Sequence, residues 1–399
     1  MYKRIFNFLP ALLLLATSLS CSAEDVIVLP LDKGKTELTQ EDVEEDLERL
    51  IEERGVENLL PLKIRIREGV TSIGNYAFDD CSSLTSITIP ESVTSIGGSA
   101  FEDCSSLTSI TIPESVTSIG YGAFYCCTGI KTIALPDSLK VMEEGILKNC
   151  SGLTSVKLPA GLTEISRSCF SLCESLESIV LPNGLKKIDG HAFYDCISLT
   201  SIKIPESVSE ICIFAFAYCS NLTAIELNSK ETTDIDREVF WSDFNALLLP
   251  ISEVTINSPT VGIWFSGMRS LKKVVIGKDV KRIGEGAFQG CRNLEQVLIP
   301  EGVTSIGDYA FSYCDSLASI TIPQSVIDIG HHVFRDCDNL QDVYNLNPSP
   351  QEIHYGLFES SPADDAESCA TIHVRPGCGS AYRNDFYWGN LTIVEDAVE

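Results

Sequence analysis

The chain has 399 residues and a formal net charge of −27 at pH 7. So acidic a protein repels a phosphate backbone and an anionic bilayer, which argues against nucleic acid as a partner and leaves the membrane only an N-terminal anchor. With 44% hydrophobic and 21% charged residues the chain is globular, and its length calls for two domains or one repeat array.

Residues 1–23 read as a targeting segment. Lys3 and Arg4 supply a short positive region, and residues 5–16 an apolar run too short to cross a bilayer. Two processing readings stand open. Cys21 after Ser18-Leu19-Ser20 resembles a lipobox, whose cysteine is lipidated, although Ser18 stands where Leu, Val or Ile is usual. The acidic Glu24-Asp25 resembles surface-export signals of Bacteroidetes lipoproteins. Cys21-Ser22-Ala23 also fits small-x-small cleavage after Ala23. Either route predicts an extracellular or cell-surface protein, in the first case an outer-membrane lipoprotein.

Residues 24–62 form an acidic segment with a capping helix predicted over 39–54. Thr39 is its N-cap, and Val43, Leu47, Leu50 and Ile51 follow helical spacing up to Gly55. From residue 63 the sequence repeats itself. Residues 89–111 read IPESVTSIGGSAFEDCSSLTSIT and 112–134 read IPESVTSIGYGAFYCCTGIKTIA. A fixed period in this range, with Leu and Ile at set offsets, marks a leucine-rich-repeat solenoid, mainly β with short helical turns. One anchor per coil, Phe78, Phe101, Phe124, Leu147, Phe170, Phe193, Phe216, Phe240, Phe265, Phe288, Phe311, Phe334 and Phe358, gives about thirteen coils.

Within a coil Leu84, Ile87 and Ile89 point inward from a strand that Pro90 ends. Val93 and Ile96 return to the core, Gly97 allows the next turn, and Ala100-Phe101 fills the centre. The coils are regular over 63–226, irregular over 227–275 and regular again over 276–344. In the irregular part Met268 stands where other coils place Cys, and Trp264 where they place Ala, both as core residues. Residues 345–399 make a last coil and cap, with a strand at 371–374 and a hydrophobic group of Tyr382, Phe386, Tyr387 and Trp388 covering the end.

The run I-P-x-S-V-T-S-I-G-x-x-A-F-x-x-C-x-x-L-T-S-I resembles the BspA-like leucine-rich-repeat family, also known from Treponema-type repeats, over roughly residues 63–395. The closing T-I-H-V-R-P-G-C-G-S-A-Y with Trp388 resembles that family's C-terminal coil. The resemblance implies a bacterial surface protein of a group associated with adhesion to host matrix proteins and other bacteria. It carries over no catalytic residues and no cofactor.

Of sixteen cysteines, ten fall at one repeat position, from Cys81 and Cys104 to Cys314 and Cys337. A ladder with one thiol per coil does not converge on a metal, so buried reduced thiols are expected. Cys369 and Cys378, off the ladder, are the disulfide candidates. The five histidines form no constellation. His331-His332 read as an exposed loop pair, His354 is isolated, and His373 alternates outward between Ile372 and Val374. Serines and carboxylates recur because the repeat recurs, so no catalytic or metal site is predicted.

Binding is expected on outward strand residues of a concave sheet, Ser86, Thr88, Ser109, Thr111, Ser319, Thr321 and Tyr344 among them, a largely uncharged and hydroxyl-rich surface. Good exposed strand residues would look the same. The irregular centre offers Trp241 and Phe244 as further contacts. The expected partner is an extracellular protein or glycan, bound by a monomer. A self-assembling structural protein of the envelope is the alternative.

Overall fold

The structure, a computed structural model, describes residues 26–29, 34–54, 62–230, 234–235, 239–240, 249–353, 356–358 and 370–396. Two units divide the chain, 1–199 with 211–220 and 200–210 with 221–399. Each is a parallel β-solenoid.

In the first unit six strands, Ile27–Leu29, Leu62–Ile66, Leu84–Thr88, Ser109–Thr111, Thr132–Ala134 and Ser155–Lys157, make a front sheet. Its register repeats the sequence period: Ser86 pairs with Ser109 and Ser109 with Thr132. Leu84, Ile87 and Ile89 are buried beneath it, as their spacing predicts. Behind them runs a second ladder of two-residue strands, Glu37–Leu38, Ser72–Ile73, Ser95–Ile96 and Ser118–Ile119. Two residues are too few to show a period of two, so the sequence marks Ile96 as core without marking a strand.

The third side of each coil is a run of turns in which left-handed residues recur every fourth position, such as Tyr76 (φ 59°) and Asp80 (φ 57°). The N–H groups of Tyr76, Phe78 and Asp80 donate to Gly98, Ala100 and Glu102 of the next coil at 3.0, 2.7 and 2.8 Å. Those of Asp79 and Cys81 close turns onto Tyr76 and Phe78. Alternating between coil and turn satisfies every donor of the segment without a helix. Gly97 serves this side differently from the turn predicted for it. A Cβ there would lie 2.5 Å from the Asn75 nitrogen, so the residue is glycine because two backbones touch.

Inside, the anchors stack. Phe78–Phe101 and Phe101–Phe124 centroids are 5.2 and 5.4 Å apart with planes within 3°, and Leu147 interrupts the column fully buried. Beside it the ladder thiols that follow Cys81 donate to the anchor carbonyl of the preceding coil, Cys104 to Phe78 at 3.2 Å and Cys127 to Phe101 at 3.0 Å. With Cys81 they make ten free, buried thiols at this position among the described residues. Burial pushes their pKa up, for Cys291 to about 12, so they stay neutral and act as small apolar groups.

The second unit repeats this plan through its irregular coils. Phe240, Phe265 and Phe288 stack at 6.0 and 6.1 Å, Met268 is 8% and Trp264 9% exposed. The irregularity is nonetheless distributed otherwise than the anchors suggest. Along the front sheet Ala224–Leu227 pairs with Glu253–Ile256, and that strand with Lys273–Ile276. The lengthened coil is therefore followed by one with 20 residues between Glu253 and Lys273.

Both ends extend further than the sequence shows. Strands Ile27–Leu29 and Glu37–Leu38 pair in parallel with the next coil, so the acidic N-terminal segment is itself a coil. Helix Gln40–Arg54 replaces its turn side. Thr39 caps it through a reciprocal pair with Asp42, and Val43, Leu47 and Leu50 are buried as predicted. At the other end Thr392–Glu395 adds a strand beyond Thr371–Val374. Only half of the predicted aromatic cap is covered. Tyr382 and Trp388 are fully buried, whereas Phe386 is 80% and Tyr387 43% exposed.

Candidate binding surfaces

Each front strand turns alternate residues outward, and the register stacks them in columns. In the first unit one column runs Ser86, Ser109, Thr132, Ser155 and its neighbour Thr88, Thr111, Ala134, Lys157. Thr88, Ser109 and Thr111 are exposed and Ser86 half-buried. In the second unit Ser319 and Thr321 are exposed beside Asp342 and a half-buried Tyr344. The predicted residues thus fall on two separate sheets. The uncharged character holds for the stretch from Ser86 to Ala134 of the first, whose columns meet Lys63 and Arg65 on one side and Lys157 on the other. In the second unit Lys203 pairs with Glu226 and Lys273 with Glu253, both at 2.7 Å.

The last strands of that unit carry a group of ionisable side chains that no spacing in the sequence reveals. His373 Nδ1 lies 2.6 Å from Asp396, Nε2 2.9 Å from Asp342, and its ring stacks on Tyr344 at 4.5 Å. Burial disfavours the imidazolium, but the bonds and charges of the two carboxylates outweigh it and raise the pKa. A raised folded-state pKa makes this contribution full below the unfolded value of about 6.5 and lost as pH rises through the folded value. Between pH 6 and pH 8 the wild type is expected to lose up to about 1 kcal/mol more stability than His373→Gln. Parallel pH dependence of the two in urea melts would discard this account. The two nitrogens face opposite carboxylates, so the trio does not point at one ion. Among the described residues no group of three His, Cys, Asp or Glu converges as a metal site would require.

Other predicted positions fall as follows. His331 and His332 are half-buried, not exposed: left-handed backbone at His332 (φ 52°) turns its ring onto Tyr309 at 5.2 Å and its Nδ1 toward Gly356 O. Cys378 is half-buried, while its proposed partner Cys369 lies outside the described residues. Cys21, Trp241, Phe244 and His354 also lie outside them. No described helix is long and apolar enough to cross a membrane.

One cluster escaped the sequence reading. On the turn side of the first unit His191 meets Tyr194 and Phe214 at 5.5 and 5.3 Å, and Tyr194 meets Tyr218 at 5.0 Å. These positions vary from coil to coil, and reading them singly hides what stacking brings together.

Comparison with known proteins agrees with this architecture. The pattern described as BspA type Leucine rich repeat region matches residues 58–176, 146–258 and 263–374. A leucine-rich repeat protein from Bacteroides ovatus is 29% identical with a TM-score of 0.55, covering 84% of this chain and 83% of its own. A leucine rich cell surface protein from Faecalibacterium prausnitzii is 27% identical with a TM-score of 0.31, over 71% of this chain and 78% of its own. No curated protein matches the sequence. The repeat pattern spans most of the chain and coincides with the coils that the Phe and Cys columns define, and the protein belongs to the BspA-type leucine-rich repeat family.

Proposed function

We propose that the protein is exported to the cell surface, where it binds an extracellular protein or glycan in an adhesin-like role and performs no catalysis. The observation that carries this reading is the pair of outward Ser/Thr columns on the first front sheet, a rigid row of hydrogen-bonding groups at fixed spacing. Lys3, Arg4 and the apolar run after them support export, with Cys21 as the residue that would carry a lipid anchor. Trp241 and Phe244 are proposed as a second contact region. The test is a binding screen of the full chain against matrix proteins and glycans, repeated with Thr88→Lys/Thr111→Lys and with Trp241→Ala/Phe244→Ala. Loss of affinity by tenfold or more in a folded variant supports the assigned surface. Unchanged affinity in both variants removes it.

A second reading, assembly of copies into an envelope structure, is favoured by exposed Phe386 and Tyr387 in the last coil of the second unit and by Val26 and Val28, 41% and 52% exposed, in the first coil of the first unit. Concentration-dependent oligomers in sedimentation, abolished by Phe386→Ser, would support it; a monomer at all concentrations rejects it.

A further inference from the structure

The turn side of the first unit changes character along its length. In two early coils it is acidic: Asp79, Asp80, Glu102 and Asp103 crowd together, and burial with these neighbouring charges pushes Asp79 up to about 6. In later coils this side also carries cations and rings, with Lys148 and Tyr194 in the slot of Asp79 and Tyr218 in that of Asp80. Lys148 sits 5.7 Å over the Tyr125 ring, and Arg167 is 59% exposed with only a loose 4.0 Å contact to Glu144. His191, Tyr194, Phe214 and Tyr218 follow, all half-buried, as a connected aromatic surface.

Two further observations concern what this surface is built to meet. His191 packs its ring between Tyr194 and Phe214, and its Nδ1 is shielded from solvent with no hydrogen-bond partner among the described residues. Burial lowers its pKa, and the charges that lower it further are Arg167 and Lys148. Arg167 and Lys148 thus place positive charge beside His191 on a chain of net charge −27. The platform is also fixed in place. His191 N–H donates to Ile213 O at 3.2 Å, Leu172 N–H to Tyr194 O at 2.7 Å, and Asp195 N–H to Ala217 O at 2.8 Å. His191, Phe214 and Tyr218 all hold left-handed backbone, where glycine is cheaper, and Gly122 and Gly145 fill the position of His191 and Phe214 in earlier coils.

We infer that this surface, from Lys148 to Tyr218, is a binding site for an anionic glycan, a polysaccharide bearing carboxylate or sulfate groups. The faces of sugar rings are apolar and stack on aromatic side chains. The acidic substituents meet Lys148 and Arg167. A glycan suits these slots better than an extended peptide, because strand addition needs free backbone groups and here the inter-coil ladder uses them. The site lies on a different side of the coil from the front-sheet residues of the proposed function and stands or falls separately from them.

The test is isothermal titration of the full chain with chondroitin sulfate and polygalacturonate oligosaccharides, with dextran as the neutral comparison. The expected result is binding of the anionic chains that weakens as salt rises, and none of dextran. Lys148→Glu/Arg167→Glu should lower that affinity at least tenfold, and so should Tyr194→Ser. Ile327→Ser, at a 66% exposed residue of the second unit, should leave it unchanged. No binding of either polyanion overturns the inference, as does equal affinity in the charge-reversed and Tyr194 variants with unaltered melting. Salt-sensitive self-association lost in Asp79→Asn/Glu102→Gln, without glycan binding, also overturns it and assigns the surface to a second copy.

Discussion

Phe101→Ala is expected to destabilise the first unit by about 3–5 kcal/mol, read as a shift of its midpoint in urea or guanidinium. The side chain is fully buried, with the Phe78 and Phe124 rings stacked on its two faces at 5.2 and 5.4 Å. Such pairs contribute about 0.5–1.5 kcal/mol each beyond the area they bury, so both contacts are lost with the ring. The cavity also collapses poorly. Phe101 N–H donates to Ala123 O at 2.8 Å and Phe78 N–H to Ala100 O at 2.7 Å, so the flanking coils are pinned at their spacing. A solenoid distributes stability between neighbours, and the loss should therefore appear in coils on both sides of the cavity. Phe386→Ala, at 80% exposure, is the control and should move stability by less than about 0.5 kcal/mol. A Phe101→Ala cost below about 1 kcal/mol would mean that the stacked column is not what holds the coils together.

That column was legible in the sequence, and the reason is physical. Burial at the axis tolerates few residue types, so Phe101, Cys104, Leu107 and Ile110 repeat nearly unchanged, and Met268 and Trp264 are recognisable as substitutes because their register is kept. What escaped lies where the repeat constrains less. Ile27–Leu29 carries no repeat consensus, and only its pairing with residues around Ile64 makes it a strand. The redistribution of length around Glu253 is invisible to a ruler laid along the anchors, since Phe240 and Phe265 keep nearly regular spacing while the front strands slide.

The candidate surfaces follow the same logic. The Ser/Thr columns were legible because strand alternation alone places them. The partners of His373 were not, since Asp342 comes from the previous coil and Asp396 from beyond the last strand. Taken alone, His191 is one variable position among many. Its meaning comes from Arg167 one coil before and Phe214 one coil after, a relation that exists only when coils stack.

Glycines give the second large effect, and one that changes sign with position. Gly120→Val is expected to cost about 3 kcal/mol, because a Cβ there would stand 2.5 Å from Gly98 N and 2.8 Å from Gly97 C. Those atoms are backbone, held by Ser99 N–H to Tyr121 O and Gly120 N–H to Ile96 O, and cannot swing aside as a side chain would. Widening the gap would break the turn-side ladder that satisfies the donors of both coils. Gly184, by contrast, has nothing within 4 Å of its Cβ position and no left-handed backbone. Gly184→Ala should therefore be neutral or stabilise by about 0.4–1 kcal/mol, through the lower entropy of the unfolded chain. Intrinsic propensity alone predicts that alanine helps at both sites, whereas close stacking predicts opposite signs. The pair Gly120→Ala and Gly184→Ala separates these explanations in one set of thermal melts. Equal and favourable shifts would show that the coils are free to part at Gly120, which the inter-coil distances on this side do not allow.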